Sequence, residues 1–391
     1  ATTHSGFKLR PQPSPSQESV ESSLRTRVFC VFWEFCIAPS ILLHRKFRSQ
    51  IQPIRPVKPH RSFMLLGAAL AAFVIAPSAF AVLISSSDTF GSGTNQFTID
   101  FTEVGNPNNS ADSTGFGSVG YNYRIGTYEI SQNQLSLAVA SGLAHVTAGA
   151  WSGDLPAANM SWFESAAFVN WLNTSKGFQA AYNLTWNGSA WSMALWTSGN
   201  PGYDASNQYR NSLAQYFLPS ENEFYKAAFG KIDGSGYFLY PTASNTAPTA
   251  VTSGTNNGTA VYNQGWIPPG PASIYQAGGS SSYGTMAQGG NIQEWQESSI
   301  NGLNNNTGEN RMVRGGYWYG AASDALDSST RSSFGPTTDI VNLGFRVASA
   351  SLAPAPAAVP EPGTYAAGAI LLLFALWHHR RRAASKRQRV A

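Results

Sequence analysis

The sequence predicts a mixed α+β domain, rich in loops, over residues 82–350. Two strand-like segments, three capped helices and long turn-forming stretches predict it. From Phe97 to Thr102 apolar and polar residues alternate: Phe97, Ile99 and Phe101 on one face, Thr98, Asp100 and Thr102 on the other. That period of two is the signature of a half-buried strand. GNPNNSADSTGFGS (105–118) reads as a turn-rich loop, and YRIGTYEIS (123–131) as a second strand. Helices are expected after Ser131, Ser161 and Ser220. The second and third have an acid three residues on, Glu164 and Glu223, which makes a capping box. Gly177 and Gly230 mark their ends. In the second helix Phe163, Ala167 and Trp171 share one face, and Phe168 and Leu172 another, so these side chains are expected in the core.

The formal charge of +4 is unevenly spread. Residues 82–350 hold nine Lys and Arg against seventeen Asp and Glu, a net of −8. The basic excess therefore sits at the termini, and the folded part is not expected to bind nucleic acid. Both cysteines, Cys30 and Cys36, lie before that region, and His145 is its one histidine. A His/Cys metal centre is thereby excluded, as is a Ser-His-Asp triad unless His145 alone serves it. Nine of the eleven tryptophans fall inside 82–350, which is long enough to bury a core without disulfides.

Both ends carry targeting signals. The first methionine is Met64, and MLLGAALAAFVIAPSAFA reads as the apolar core of a signal peptide, with Ala79 and Ala81 at the small-x-small cleavage position. The basic region that should precede it lies before Met64, so the expectation is a signal peptide over 57–81 and an over-extended or disordered stretch over 1–56. The alternative reading makes VFCVFWEFCIAPSILL (28–43) a hydrophobic helix, although Glu34 interrupts it. At the other end a Pro/Ala linker and Pro360-Glu361-Pro362 (351–362) precede a segment, 363–391, with fifteen largely apolar residues and a basic tail. As a helix the apolar run would span roughly 22 Å, less than the roughly 30 Å of hydrocarbon, so arginines and Trp377 would have to reach the interface. The basic cluster would leave the C-terminus in the cytoplasm. The three-part pattern resembles the PEP-CTERM sorting signal of Gram-negative bacteria. That resemblance implies an exosortase-type protease as partner, a membrane-anchored stage through a single C-terminal helix, and a cell-surface or extracellular destination.

The domain between these signals resembles the sulfatase-modifying-factor family, whose archetype is the formylglycine-generating enzyme. The resemblance rests on six segments in order: YRIGTYEIS, MSWFESAAFVNWLN, YFLPSENEFYKAAF, YGTMAQGGNIQEWQES, VRGGYW and NLGFRVAS. It implies that family's loop-rich variant of the C-type-lectin-like fold. Gly315 and Gly316 allow backbone conformations or close approaches that a β-carbon would block. Arg314 and Arg346 stand in apolar motifs and call for buried carboxylates or loop carbonyls; Glu221, Glu223 and Glu294 are the candidate partners. Tyr317, Trp318 and Arg331 complete the expected pocket set.

The family's GGNIQEW segment holds a structural calcium. The matching ligands here would be the carbonyls of Gly290 and Ile292 and the acid Glu294, while Ala287 stands where the family has an Asp or Asn. Active members place two copper-binding cysteines after the Gly-Gly pair; here those positions are Gly320 and Ala325, and Gln293 replaces a tryptophan. Neither replacement offers the soft ligand that Cu(I) needs, so no copper is expected. The expected role is a binding or structural module for an exopolysaccharide or peptide, against a formylglycine-generating oxidoreductase as the alternative.

Overall fold

A computed structural model describes residues 85–147, 149, 151–351, 373–378, 380 and 381. Chain contacts divide the protein into units Ala1–Val74 and Ile75–Ala391, and every described residue lies in the second. The signal-peptide and cleavage readings at Ala79 and Ala81, the sorting motif at Pro360, Glu361 and Pro362, and most of the apolar C-terminal run fall outside the described residues. Residues 373–378 are helical, and no helix among the described residues is long and apolar enough to cross a membrane.

The elements run β1 (Ser85–Phe90), β2 (Phe97–Val104), β3 (Tyr123–Gly126), α1 (Gln132–Ala140), α2 (Trp162–Ser175), β4 (Asn183–Trp186), β5 (Trp191–Ala194), β6 (Tyr216–Phe217) and α3 (Glu221–Phe229). There follow β7 (Thr249–Ala250), β8 (Thr259–Ala260), β9 (Gln293–Ser299), β10 (Arg311–Arg314), β11 (Ser332–Phe334), β12 (Leu343–Gly344) and β13 (Ala348–Ala350). One antiparallel sheet has the order β1-β2-β3-β13-β6. A second has the order β11-β10-β9-β12, with β12 parallel to β9. Two small ribbons, β4-β5 and β7-β8, complete the mixed, loop-rich architecture.

All three helices begin at the expected serines. At Ser131, Ser161 and Ser220 the hydroxyl accepts from the N3 amide, and the N3 side chain returns to the cap's own N–H. Gln134 completes the first of these boxes. Phe101 and Ile125 of the first sheet pack with Leu135 of α1, Phe168 and Leu172 of α2, and Val347 in one buried core. The second strand is shorter than its sequence suggests. It stops at Gly126, where a β-carbon would lie 3.0 Å from the Tyr128 carbonyl. The chain then turns, and Glu129 reaches Asn291: the Asn291 side-chain amide donates to its carboxyl group at 2.6 Å.

Candidate functional site

The Gly-Gly segment leaves β10 and threads a narrow passage. Gly315 and Gly316 have φ of 99° and 67°. A β-carbon on Gly316 would stand 2.7 Å from Leu326 and 3.2 Å from the Ala325 carbonyl. Glycine is therefore required both by conformation and by space. The amide of Gly290 donates to the Gly315 carbonyl at 2.6 Å, and that of Trp318 to the Asn291 carbonyl at 2.8 Å. The two segments carrying the predicted pocket residues are thus bonded directly to each other.

Beyond the glycines the chain builds an aromatic cluster. Trp318 is fully buried, and its indole N–H donates to the Trp266 carbonyl at 2.9 Å. Its ring stacks on Trp266 at 5.5 Å and meets Trp151 edge-on at 5.6 Å. Tyr319 lies 4.5 Å from Trp266 and 4.2 Å from Tyr317. Tyr317 and Tyr319 are half-buried, while Trp266 is 50% exposed and Ile267 beside it 57% exposed. The result is an aromatic surface with a buried indole as its foundation. Trp151 and Trp266 have no recognisable motif around them in the sequence. Two tryptophans in loop segments were the available signal, but nothing local tied either to Trp318.

Gly320 and Ala325, where the resemblance implied cysteines, are both half-buried; Gly320 lies against the Tyr317 ring, and the Ala325 carbonyl faces Gly316. Neither has a side-chain donor atom, and among the described residues no cluster of three His, Cys, Asp or Glu could hold a metal. The donor set does not fit copper. His145 lines a separate cleft of about 360 Å³ with Trp186 and Trp191. Its ring stacks on Trp186 at 4.5 Å.

The arginines are held by buried carboxylates, and the structure decides which. Arg346 meets Glu294, both fully buried: its Nε donates to Oε2 at 2.5 Å and its Nη2 to Oε1 at 2.6 Å. The same guanidinium also donates to the carbonyls of Gly126 and Met286. Arg314 and Arg331 share Glu221, each with an ion-pair distance of 2.7 Å. Glu223 instead faces Arg210, which also pairs with Glu297 and lies 3.7 Å over the Phe217 ring. Burial would raise the Glu223 carboxyl, but the Arg210 charge and its hydrogen bonds hold it below the usual value. Glu129 behaves oppositely. Burial and then the nearby Glu294 charge push it well above the ordinary carboxylate range. Sequence reasoning missed Arg210 and Glu129, because neither is adjacent in the chain to its partners.

This arrangement bears on the predicted calcium ligands. Both oxygens of Glu294 are engaged by a guanidinium, and Ala287 supplies no side-chain oxygen. Gly290 and Ile292 would be left to provide two neutral carbonyls. Ca²⁺ takes six to eight oxygens, usually with carboxylate charge. The residues present do not fit a calcium cage, and Arg346 supplies the positive charge beside Glu294. EDTA is accordingly expected to leave the melting temperature of the purified protein unchanged. A fall on chelation that calcium reverses would contradict this.

Among solved structures the chain is similar to Treponema denticola variable protein 1, with 18% identity over 69% of this chain and 100% of that one and a TM-score of 0.48. It is also similar to CarF, with 18% identity, 65% and 99% coverage and a TM-score of 0.46. PvdO from Pseudomonas aeruginosa follows, with 14% identity, 68% and 98% coverage and a TM-score of 0.41. No curated protein matches the chain. Residues 94–351 match the family described as Sulfatase-modifying factor enzyme 1-like domain, and the chain belongs to that family.

Proposed function

We propose that the protein is an exported, non-catalytic binding module that presents its aromatic surface to an exopolysaccharide or a peptide at the cell surface. The observation that supports this reading is the half-exposed Trp266–Tyr319 surface in a domain without cysteine, with Gly320 and Ala325 where the family resemblance would put thiols. A cluster of aromatic rings with one face toward solvent suits stacking on sugar rings or on apolar peptide side chains. The proposal includes export through the signal peptide at 57–81 and exosortase sorting at Pro360-Glu361-Pro362. The C-terminal helix would anchor the chain before processing.

Two measurements test it. Aerobic incubation with a cysteine-containing sulfatase peptide, with or without copper, is expected to produce no formylglycine by mass spectrometry, because no thiolate lies between Val82 and Ala350. Turnover above a no-protein control would overturn the non-catalytic reading. A glycan and peptide binding screen on the protein should yield a ligand whose affinity falls about tenfold or more in Trp266→Ala, as for an aromatic anchor at an interface. A ligand indifferent to both Trp266→Ala and Tyr319→Ala would sink the assignment of this surface.

A further inference from the structure

Among the cations of the domain, Lys226 has an unusual setting. It lies in the middle of α3 and is 1% exposed, with Phe224, Tyr225, Ala227, Ala228 and Phe229 also buried around it in the helix. Among the described residues no carboxylate lies within ion-pair distance of it, whereas five of the arginines have one. Its Nζ donates to a single acceptor, the Asn106 carbonyl, at 2.8 Å. An ammonium has three protons, so two are left without an acceptor from the described residues. Burying a charge without a counter-charge is costly, and proteins normally pair it.

Lys226 is not sealed into the apolar core. It borders a cleft of about 370 Å³ that is also lined by Asn106, Asp112, Lys231, Tyr237 and Tyr283. Tyr283 is 2% exposed; its oxygen accepts from the Asn106 side-chain amide at 3.2 Å, and its own proton has no acceptor among the described residues. The one carboxylate on the cleft, Asp112, is occupied by the Tyr225 hydroxyl at 2.5 Å and by Ser113 and Thr114. Glycines 230, 234 and 236 form part of the wall, which keeps side chains out of the space. The cleft therefore brings together an ammonium with one acceptor, a tyrosine hydroxyl whose proton has none among the described residues, and one carboxylate already bonded elsewhere.

From this we infer that the cleft binds a small oxyanion, a carboxylate, sulfate or phosphate group, with Lys226 as its counter-charge and Tyr283 as a second donor. The site is separate from the Trp266–Tyr319 surface and does not depend on the function proposed for it. With no counter-charge near, burial by itself brings the Lys226 amine down to about 8. A bound anion would favour the ammonium and move that value up again.

The test uses the full chain and three probes, sodium sulfate, phosphate and acetate, with ionic strength held constant by sodium chloride. Reductive methylation at pH 7, read by peptide mass spectrometry, reports the neutral fraction of each lysine. At least one probe is expected to slow labelling of Lys226 about tenfold, the effect of raising its pKa by one unit, while exposed Lys176 is unaffected. The probe that protects identifies the class, acetate for carboxylates and the others for tetrahedral oxyanions. The same probe should raise the melting temperature of the wild type by mass action but not that of Lys226→Met, and should raise that of Tyr283→Phe less. If Lys226→Met does not fold, the labelling decides; if Lys226 takes no label, the melting series decides. Unprotected labelling with all three probes, or an anion-dependent rise that persists in Lys226→Met, would overturn the inference.

Discussion

Replacing Arg346 by Met is expected to destabilise the protein by about 3–5 kcal/mol, the range found when one partner of a buried ion pair is removed. The reason is the number of carboxyls that share this guanidinium. Glu294 is bonded to it on both oxygens, and Glu129 lies close enough for the two acids to influence each other. Without Arg346, two carboxyls are buried with no cation between them. The loss should also depend on pH, with a definite sign. Burial already holds both folded carboxyls above their unfolded value of about 4.3, and loss of Arg346, which draws each of them down, raises them further. The variant is then least impaired at acid pH, where both groups are neutral in either state, and loses stability as pH rises through the raised values. Glu294→Ala should cost less, because Arg346 can then turn to Glu129. Urea unfolding of the two variants at pH 5 and pH 8 checks both the order and the slope. Equal losses at the two pH values, or a loss below about 1 kcal/mol for Arg346→Met, would mean that the pair contributes little.

Trp318→Ala is expected to cost about 3–5 kcal/mol, as for other fully buried large aromatic side chains. Its indole supports Trp151, Trp266 and Tyr319 at once and holds the Trp266 backbone through its N–H. The variant should therefore lose the order of the 264–269 segment along with its stability. Increased proteolytic cleavage within that segment, measured well below the melting temperature, is the distinguishing observation. Trp318→Phe should retain much of the packing and lose the hydrogen bond, giving an intermediate result. A variant that is destabilised but remains resistant in that segment would separate the core role of Trp318 from any role in holding the aromatic surface.

Much of the fold was legible because its signals are local. The Ser161 and Ser220 caps are each legible together with an acid three positions on, and both boxes form there; at Ser131 only the cap is legible, and the structure adds Gln134 to complete its box. The arginine partners were less legible. Glu221 and Glu223 stand two residues apart on one helix, about 200° apart around its axis at 3.6 residues per turn. One consequently meets Arg314 and Arg331, and the other Arg210. Both acids belong to the same motif, and only their directions separate them. Glu294 shows the same limit: the resemblance puts this acid among expected calcium ligands, but parallel pairing of β12 with β9 brings Arg346 to it.

By itself the sequence determined where the helices start, that residues 82–350 hold no cysteine, and that they hold a single histidine. These are matters of residue identity and of spacing within one turn, and no packing can alter them. Only the tertiary structure decided that Trp151 and Trp266 join Trp318, that Glu129 shares the surroundings of Glu294, and that Lys226 is buried beside a cleft with no carboxylate of the described residues within ion-pair distance. Each of those depends on groups far apart in the chain, whose meeting is set by the way sheets, helices and loops pack.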